Sequence, residues 1–446
     1  MRSTECKRFH LELPVLTSTF GCYFRIRIKM NTNVVNDEHL ANGTLKIPDA
    51  SIVPHLLLFL VQILALASPP YRGLRIGFIF IITILAVYCN LHRHFTNNFD
   101  LAQPASLAWS IYLPTIAKLC VSEGKNTEGR FWRIDRQPAE AVGYAAFGAK
   151  KTWWALVLMF NQRGIRWSHQ VKNIPQQPIV SRSHFLMTQV SRFCWFLCCA
   201  DLCYEIHQRV NFTSPDGTVG KLNSKYLSIH HSSWYWSLLK TFSLGMLPYF
   251  MLSMQYAQGA FFAVLLQFST PQDWAPSFGS FDNLRRIRLF WGSFWHQQLR
   301  YLFTSYSNAI ANFMHIPRGS NRSSYTTLYI AFFISGTFHA LGLLYLPRPA
   351  NISDWECSSG LFKFFILQAV AITFEDFVIW CGRYVIGSRL QRLARLLGYV
   401  WVFFFMWWSL QLVGDSVLKL RIGEGAFSPF PLMRPFVRAY ISIPPV

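Results

Sequence analysis

The chain has 446 residues, of which 52% are hydrophobic and 17% aromatic, and its formal net charge is +21. This apolar composition argues against a soluble enzyme, while the many lysines and arginines argue against a bundle of helices that faces only lipid. The basic residues lie between apolar segments, form no single stripe and match no nucleic-acid-binding module, which excludes a nucleic-acid partner. The composition predicts an all-α, multi-pass membrane protein whose basic loops meet lipid headgroups and a phosphate-bearing cosubstrate.

The ten cysteines form no Cys-x-x-Cys pair and no regular framework. Four of them lie close together on one apolar segment: Cys194, Cys198, Cys199 and Cys203. Thiols on such a segment usually pack as small hydrophobic groups. We therefore predict neither a metal site nor a disulfide scaffold.

Apolar segments predict about eight or nine transmembrane helices. The first two segments, 52–67 and 74–89, are joined by a turn rich in proline and form a hairpin. Four later segments have the length and hydropathy of spans: 184–204, 327–346, 361–381 and 397–413. The sequence shows no fixed-period repeat and no related halves.

Two further apolar segments are ambiguous. Segment 105–121 is interrupted by Pro114 and Lys118, which indicates either an interfacial helix or a kinked span. Segment 234–268 is longer than the roughly 20 residues that one crossing needs. It is either two short helices with a break near residues 256–259 or one crossing with a re-entrant piece.

The distribution of apolar and basic residues predicts five regions. They are a polar N-terminal tail (1–50), N-terminal membrane helices (51–122), a basic loop (123–183), a membrane-embedded core (184–415) and a C-terminal tail (416–446). The basic loop is expected on the cytosolic side. Connectors with sequons at Asn211 and Asn351 are expected on the lumenal side. The first apolar run starts only at Ile52, so we predict no secretory signal peptide, and Met30 is an alternative start.

His339 lies inside an apolar helix, where an ionisable group is costly and usually functional. Helical spacing places Ser335 and Gly342 on the same face, so small residues surround the imidazole and leave room for a substrate. Such a histidine can take a proton from an alcohol as it attacks a carbonyl carbon. The alternative is a histidine that is satisfied by hydrogen bonds between helices.

Segment 290–300 is aromatic and basic and contains a second histidine. Helical spacing would place Trp291 and Trp295 on one side and His296 and Arg300 on the other. The segment would then lie at the membrane surface, with His296 facing a cavity and Arg300 able to hold phosphates. The alternative is an interfacial aromatic belt.

Two other places could contribute to a site. The basic loop holds Arg163, Trp167 and Lys172 close together, either as a phosphate-binding wall or as an interfacial anchor. Glu375 and Asp376 are adjacent carboxyl groups in an apolar span and need partners. One of them could orient a histidine or pair with an arginine across the bundle.

Ordered motifs between about residues 160 and 380 resemble the wax-synthase-like branch of the membrane-bound O-acyltransferases, in particular the fungal acetyltransferases of terpenoid and meroterpenoid clusters. The central motif is Phe290-Trp-Gly-Ser-Phe-Trp-His296. The supporting motifs are Arg163-Gly164 with Trp167, Val171-Lys-Asn173, Asp273-Trp274, Phe278-Gly279, Ser335-Gly336 with His339, and Glu375-Asp376. The central motif is also similar to Phe-Tyr-x-Asp-Trp-Trp-Asn of the sterol and diacylglycerol acyltransferases. His296 takes the place of its asparagine and Ser293 the place of its aspartate.

The resemblance implies a multi-helix enzyme of the endoplasmic reticulum in which His339 is the catalytic base and the His296 segment binds or positions acyl-CoA. The residues then expected at the substrates are Trp291, Ser293, Trp295, Arg300, Arg163, Lys172, Asn173 and Ser335, with Glu375 and Asp376 in support. The expected reaction transfers an acyl group, in the first instance acetyl from acetyl-CoA, to a hydroxyl of a lipophilic terpenoid or meroterpenoid. No bound cofactor is expected, and no oligomeric state is predicted. The alternatives are a wax synthase that acts on long-chain alcohols and a membrane transporter of an apolar metabolite.

Overall fold

The computed structural model describes residues 45–120, 126–175, 178–220, 222–385 and 391–445. Most of the predicted N-terminal tail therefore lies outside the described residues. Within them the regular structure is helical, and β-structure is limited to isolated bridges. The prediction of an all-α fold is confirmed.

The described residues contain fifteen α-helices. They are α1 (Val53–Ala67), α2 (Arg72–Leu91), α3 (Phe99–Ser106), α4 (Trp109–Leu119), α5 (Thr127–Arg130), α6 (Ala149–Phe160), α7 (Arg182–Asn211), α8 (Trp234–Gly245), α9 (Leu247–Leu265), α10 (Ile287–Leu289), α11 (Arg300–Phe313), α12 (Asn321–Leu343), α13 (Asp354–Val385), α14 (Gln391–Lys419) and α15 (Arg434–Tyr440). Short 3-10 turns lie at Glu140–Gly143, Ser224–Tyr226, Pro271–Asp273 and Phe281–Arg285.

Four of these helices, α2, α12, α13 and α14, are long and apolar enough to cross a membrane. The apolar helix α1 is shorter, at 15 residues. The predicted number of eight or nine spans is not confirmed. Helix α7 is long enough, but it carries Asp201 and Glu205, and α9 is interrupted by polar Gln255 and Gln258.

The structure shows how the chain folds in both ambiguous segments. Segment 105–121 divides between α3 and α4, with Pro114 inside α4. Segment 234–268 forms two helices that break at Met246, so the predicted break near residues 256–259 is wrong. The break coincides with Pro248, which has no N–H for the hydrogen-bond ladder of the preceding helix and is tolerated in the first turn of the next.

The regions predicted as a loop and a tail also contain helices. Helix α6 lies within 123–183 and packs against α1, with Trp154 and Leu158 buried in the shared core. In the C-terminal region α15 packs against α7, where Arg434 donates to Glu205 at 3.0 Å. The basic residues at the start of α6 favoured the prediction of a loop, but the apolar residues spaced along the segment make a helix stable. In proteins, burial of an apolar helix face contributes more to helix stability than intrinsic helix propensity does.

The asparagines of the two predicted sequons differ in their exposure to solvent. Asn211 is the last residue of α7, is 4% exposed and donates to His207, so its amide is not accessible to a glycan. Asn351 is exposed. The expected lumenal loop at Asn211 therefore loses its supporting sequon.

Two cores bring the candidate residues together. One core is formed by α1, α2, α4, α6 and α11, and the other by α10, α12, α13 and α14. Helix α11 packs against both α4 and α12 and so joins the two cores. Close helix contacts use glycine: a Cβ at Gly336 would lie 3.2 Å from the Phe362 carbonyl oxygen of α13.

Candidate active site

Segment 290–300 is not one helix. Phe290–Phe294 forms a single π-turn, Trp295 is extended, and the next helix begins only at Arg300. The predicted continuous amphipathic helix is therefore wrong, although the Trp291 and Trp295 rings still lie 6.0 Å apart. The wide turn is closed by a hydrogen bond from the Trp295 N–H to the Phe290 carbonyl oxygen at 2.7 Å. Single π-turns occur frequently at functional sites.

Polar side chains hold the backbone of this turn. Arg300 donates to the Gly292 carbonyl oxygen at 2.7 Å, and Asn173 donates to the same oxygen at 3.0 Å. Asn173 also donates to the Ser293 hydroxyl at 3.3 Å, which connects the basic loop to the motif. Gln297 donates to the Trp295 carbonyl oxygen at 2.6 Å. Arg300 therefore orders the motif through its hydrogen bond to Gly292, and its contact with a phosphate stays a prediction.

Trp291 is anchored to α13. Its indole N–H donates to Gln368 at 3.1 Å, and its ring lies 5.7 Å from the ring of Phe365. Gln368 is fully buried and donates in turn to Ser409 on α14 at 3.3 Å. These hydrogen bonds fix the position of the motif relative to α13 and α14.

Glu375 and Asp376 hold the short helix α10, which leads into the motif. Glu375 accepts from the backbone N–H groups of Ile287 at 2.7 Å and Arg288 at 3.3 Å, so it caps the start of α10. Asp376 pairs with the Arg288 guanidinium and accepts from the Tyr325 hydroxyl at 3.1 Å. Of the two roles considered from the sequence, the structure shows the pairing with an arginine. Neither carboxylate has a hydrogen bond to a histidine among the described residues.

His339 lies on α12 between two aromatic rings. Its ring centroid is 4.8 Å from that of Trp109 on α4 and 4.7 Å from that of Phe365 on α13. Nδ1 lies 2.8 Å from the Ser335 carbonyl oxygen and 3.3 Å from the Ser335 hydroxyl. A carbonyl oxygen can only accept, so Nδ1 carries the proton and Nε2 keeps the lone pair. The structure thus presents the tautomer that a general base requires.

His296 lies in the extended stretch that follows the π-turn. Its ring is 5.5 Å from that of Trp295 and 6.2 Å from that of Phe278. Burial, with smaller contributions from the charges of His339 and Arg163, lowers the pKa of His296 to about 3. The imidazole is therefore neutral at physiological pH. The Nδ1 atom is buried without a hydrogen-bond partner among the described residues.

Arg163 and Lys172, both expected at phosphates, have different surroundings. Arg163 is 5% exposed and donates to the carbonyl oxygens of Pro276 at 2.6 Å and Ala275 at 2.8 Å. It therefore ties the basic loop to the segment before the motif instead of projecting towards solvent. Gly164, at φ +60°, makes the turn that follows, where a Cβ would lie 2.9 Å from the His169 ring. Lys172 is exposed and remains available to an anion.

A cavity of about 470 Å³ is lined in part by Arg163, whereas His296, His339 and Lys172 are not among its lining residues. Helices α6 and α9 and the residues around Asp273 line it, together with Arg163 and Gln298. Gln298 is two residues from His296, so the cavity reaches the segment that carries the second histidine. The described residues contain no group of three or more His, Cys, Asp or Glu side chains that could hold a metal ion.

Comparison with known proteins identifies two regions. Residues 274–367 match the model of the membrane bound O-acyl transferase family, and residues 181–265 match that of the aspirochlorine biosynthesis protein F C-terminal domain. The chain is 39% identical over 234 residues to aspirochlorine biosynthesis protein F of Aspergillus oryzae, a match that covers 52% of this chain and 91% of the relative.

Two further relatives are named acetyltransferases. Acetyltransferase ple2 of Rhodocybe pseudopiperita is 32% identical over 253 residues, covering 56% of this chain and 62% of the relative. Acetyltransferase pyr8 of Aspergillus fumigatus is 29% identical over 272 residues, covering 56% and 60%. The chain thus spans about three fifths of the length of these two relatives. The chain belongs to the membrane-bound O-acyl transferase family.

Membership of the membrane-bound O-acyl transferase family confirms the resemblance found in the sequence, the prediction of an acyltransferase enzyme and the prediction of a membrane protein. It removes the support for a transporter. The matched region contains both the central motif and His339. Glu375 and Asp376 follow it, while Arg163, Lys172 and Asn173 precede both matched regions.

Residues that the sequence did not single out complete the surroundings of the two histidines. Gln297 and Gln368 fix the motif, and Trp109 contacts His339. A fully buried glutamine in an apolar helix is a costly polar group, so Gln368 could have been selected on the same ground as Glu375. Trp109 gives no such signal, because only the packing of α4 against α12 brings it to His339.

Proposed function

We propose that this protein transfers an acetyl group from acetyl-CoA to a hydroxyl of a lipophilic terpenoid or meroterpenoid in fungal secondary metabolism. The observation that carries the proposal is the tautomer of His339, whose Nδ1 is held by a backbone carbonyl so that Nε2 can accept a proton. The relatives named acetyltransferases support acetyl as the group that is moved. The name of the aspirochlorine relative supports a secondary metabolite as the acceptor.

In the proposed reaction Nε2 of His339 takes the proton of the acceptor hydroxyl as its oxygen attacks the thioester carbonyl carbon. The tetrahedral intermediate collapses, the C–S bond breaks, and the imidazolium returns the proton to the CoA sulfur. The products are the acetyl ester and free CoA. The neutral His296 has a buried, unpartnered ring nitrogen and would donate to the oxyanion if that nitrogen carries the proton.

The membrane supplies the setting for both substrates. An apolar acceptor reaches the site through the bilayer, and acetyl-CoA arrives from the basic, cytosolic side. We place the enzyme in the endoplasmic reticulum membrane, as the resemblance to multi-helix acyltransferases of that membrane implies. Acetyl-CoA is a cosubstrate that binds and leaves in each cycle, and the proposed reaction requires no permanently bound cofactor.

The test is an acyl-transfer assay on microsomes that contain the protein or its His339→Ala variant. Labelled acetyl-CoA or palmitoyl-CoA is supplied with a panel of terpenoid and fatty alcohols. We expect acetyl esters of a terpenoid alcohol, and a loss of about 10²- to 10⁴-fold in the variant, the range for removal of a general base. The matched control is His184→Ala, which removes an exposed histidine from α7.

Two results would contradict the proposal. Full transfer by His339→Ala at the same protein level would show that His339 is not the base. Palmitoyl esters of fatty alcohols, with no acetyl ester, would show a wax synthase.

A further inference from the structure

Three of the membrane-length helices have a terminus at the same end of the bundle. Helix α12 begins at Asn321, α13 ends at Val385 and α14 begins at Gln391, and α13 packs against both of the others. The Tyr325 hydroxyl donates to Asp376 at 3.1 Å, which joins the start of α12 to the later part of α13. Helices joined in sequence by short connections run antiparallel, as this contact requires.

Exposed arginines gather around this end of the bundle, and we call them the arginine face. Its members are Arg286, Arg318, Arg322, Arg392 and Arg395. None of the five forms an ion pair within the part of the chain that the structure describes. Arg286 lies between the outer two helices, because the next residue, Ile287, is bound by Glu375 of α13 and the preceding Arg285 lies against Gly398 of α14.

The carboxylates near the arginine face do not neutralise it. Glu375 accepts from the backbone N–H groups that begin α10, and Asp376 pairs with Arg288, which is not part of the face. Asp282 is exposed in the adjoining 3-10 turn and supplies one negative charge. The face therefore keeps an excess of positive charge, which attracts anions.

Two cations at the opposite end of the same helices have carboxylate partners. Arg348, in the connection between α12 and α13, pairs with Asp354, and Lys419 at the end of α14 lies 3.6 Å from Glu356. A phosphate would have to displace a carboxylate there, whereas the arginine face offers unpaired guanidinium groups. The two ends of the three helices thus differ in the charge that they present to the membrane surface.

Exposed apolar side chains adjoin the arginine face. Leu396 is 60% exposed beside Arg395 on the first turns of α14, and Phe313 is 83% exposed at the end of α11, shortly before Arg318. Apolar side chains of this kind enter the hydrocarbon, while the neighbouring arginines extend to the polar surface. The guanidinium groups are then at the level of the lipid phosphates.

We propose that the arginine face binds the phosphate groups of anionic phospholipids in the cytosolic leaflet. A guanidinium group binds phosphate through charge-assisted, often bidentate hydrogen bonds. The cytosolic leaflet is the one that carries anionic lipids, and unpaired basic residues favour that side. The inference is independent of the proposed function, because it concerns the lipids around the protein and not the acyl transfer.

The test identifies the lipids that contact the purified full-length protein in phosphatidylcholine bilayers. A trace of spin-labelled phosphatidylglycerol or phosphatidylcholine is added, and electron spin resonance gives the fraction of each label that the protein immobilises. We expect a preference of about 5-fold for phosphatidylglycerol, the factor that one basic residue near the membrane surface supplies. Salt at about 1 M should remove most of this preference, because it screens exposed charges.

Two double variants test the two sides of the arginine face. Arg318→Gln/Arg322→Gln changes the start of α12, and Arg392→Gln/Arg395→Gln changes the start of α14. Each should lower the preference for phosphatidylglycerol to less than about half of the wild-type value, because each removes two of the binding cations. All four side chains are exposed, so the fold should be retained. An unchanged immobilised fraction of labelled phosphatidylcholine checks this.

The matched control is Lys225→Gln/Arg438→Gln, which also removes two exposed cations but leaves the arginine face intact. It should keep the wild-type preference. An equal loss in this control would show that the preference follows the net charge of the protein, and the proposal would be wrong. It would also be wrong if the wild type did not prefer phosphatidylglycerol, or if neither double variant changed the preference.

A competition experiment separates lipid phosphates from soluble ones. Addition of ADP at constant ionic strength should leave the immobilised fraction of labelled phosphatidylglycerol unchanged. Displacement of the label by ADP would show that the arginine face is a site for a soluble phosphate compound, which would contradict the assignment to phospholipid.

Discussion

At the scale of single residues, the orientation of His339 depends on the backbone more than on a side chain. The shorter of its two Nδ1 contacts is the 2.8 Å hydrogen bond to the Ser335 carbonyl oxygen, and the hydroxyl of the same residue is at 3.3 Å. The carbonyl is present whatever side chain stands at position 335. The tautomer that leaves Nε2 free is therefore built into the turn of α12.

We expect Ser335→Ala to lower acyl transfer by less than about 10-fold, because it removes only the longer, secondary contact. Initial rates of ester formation at saturating acetyl-CoA, compared with His339→Ala at equal protein level, test this expectation. A loss as large as that of His339→Ala would mean that the hydroxyl itself takes part in the reaction.

At the scale of elements, the π-turn is held by a close backbone contact on one side and by a capped helix on the other. A Cβ at Gly279 would lie 2.2 Å from the Ser293 carbonyl oxygen, and the Gly279 N–H donates to the Phe294 carbonyl oxygen at 2.9 Å. Glu375 caps the helix that enters the turn. The motif is thus positioned by elements before and after it in the chain.

Gly279→Ala should displace the motif and lower activity and stability, at a cost of about 1–3 kcal/mol for overpacking. Gly292→Ala is the matched control, because a Cβ at Gly292 meets nothing within 4 Å. The measurement is the temperature at which half of the acyl-transfer activity survives a fixed incubation. Equal behaviour of the two variants would rule out the backbone contact as the determinant.

Substitutions at the two adjacent carboxylates should differ in severity. Glu375→Ala leaves the N–H groups of Ile287 and Arg288 without their acceptor, which should destabilise the protein by about 1–3 kcal/mol because Glu375 is only 6% exposed. Asp376→Asn should have a smaller effect, since its side chain is 26% exposed. Thermal inactivation and the residual rate of each variant measure the difference. A more damaging Asp376→Asn would point to a role beyond its pairing with Arg288.

At the scale of the whole molecule, buried neutral histidines couple folding to pH. Burial lowers the pKa of His169 to about 3, with buried Lys118 adding to the effect, and burial likewise lowers that of His296 to about 3. Each histidine has a pKa near 6.5 in the unfolded chain, so between pH 6.5 and about 3 the unfolded chain binds protons that the folded chain does not. Stability therefore falls as the pH drops through this window and is constant with respect to these groups above it.

The slope of the free energy of unfolding is about 1.4 kcal/mol per pH unit for each such histidine. In His169→Gln the free energy of unfolding should decrease less steeply than in the wild type as the pH falls below 6.5. This holds whatever effect the substitution has on stability at pH 7.5. The measurement is the thermal inactivation temperature between pH 4.5 and 7.5. Parallel curves for the two proteins would contradict the burial of a neutral His169.

The sequence by itself determined the all-α fold class, four long apolar helices and the family resemblance. Long apolar segments predicted α2 to within two residues at each end and α12, α13 and α14 to within seven, because hydropathy over a bilayer-length window is a local property. The costly polar groups His339 and Glu375 stand out for the same reason: each is conspicuous against its own apolar neighbours. The ordered motifs were sufficient to identify the family.

Only the tertiary structure decided the shape of the motif and the partners of its residues. Helical spacing predicted one helix for 290–300, but Gly279, Arg300 and Glu375 together favour a π-turn and an extended stretch. Arg163 and Arg300, expected at phosphates, donate to backbone carbonyls. The contact of Trp109 with His339 likewise joins segments far apart in the chain. Such contacts depend on which helices pack together, and the local pattern of residues does not predict them.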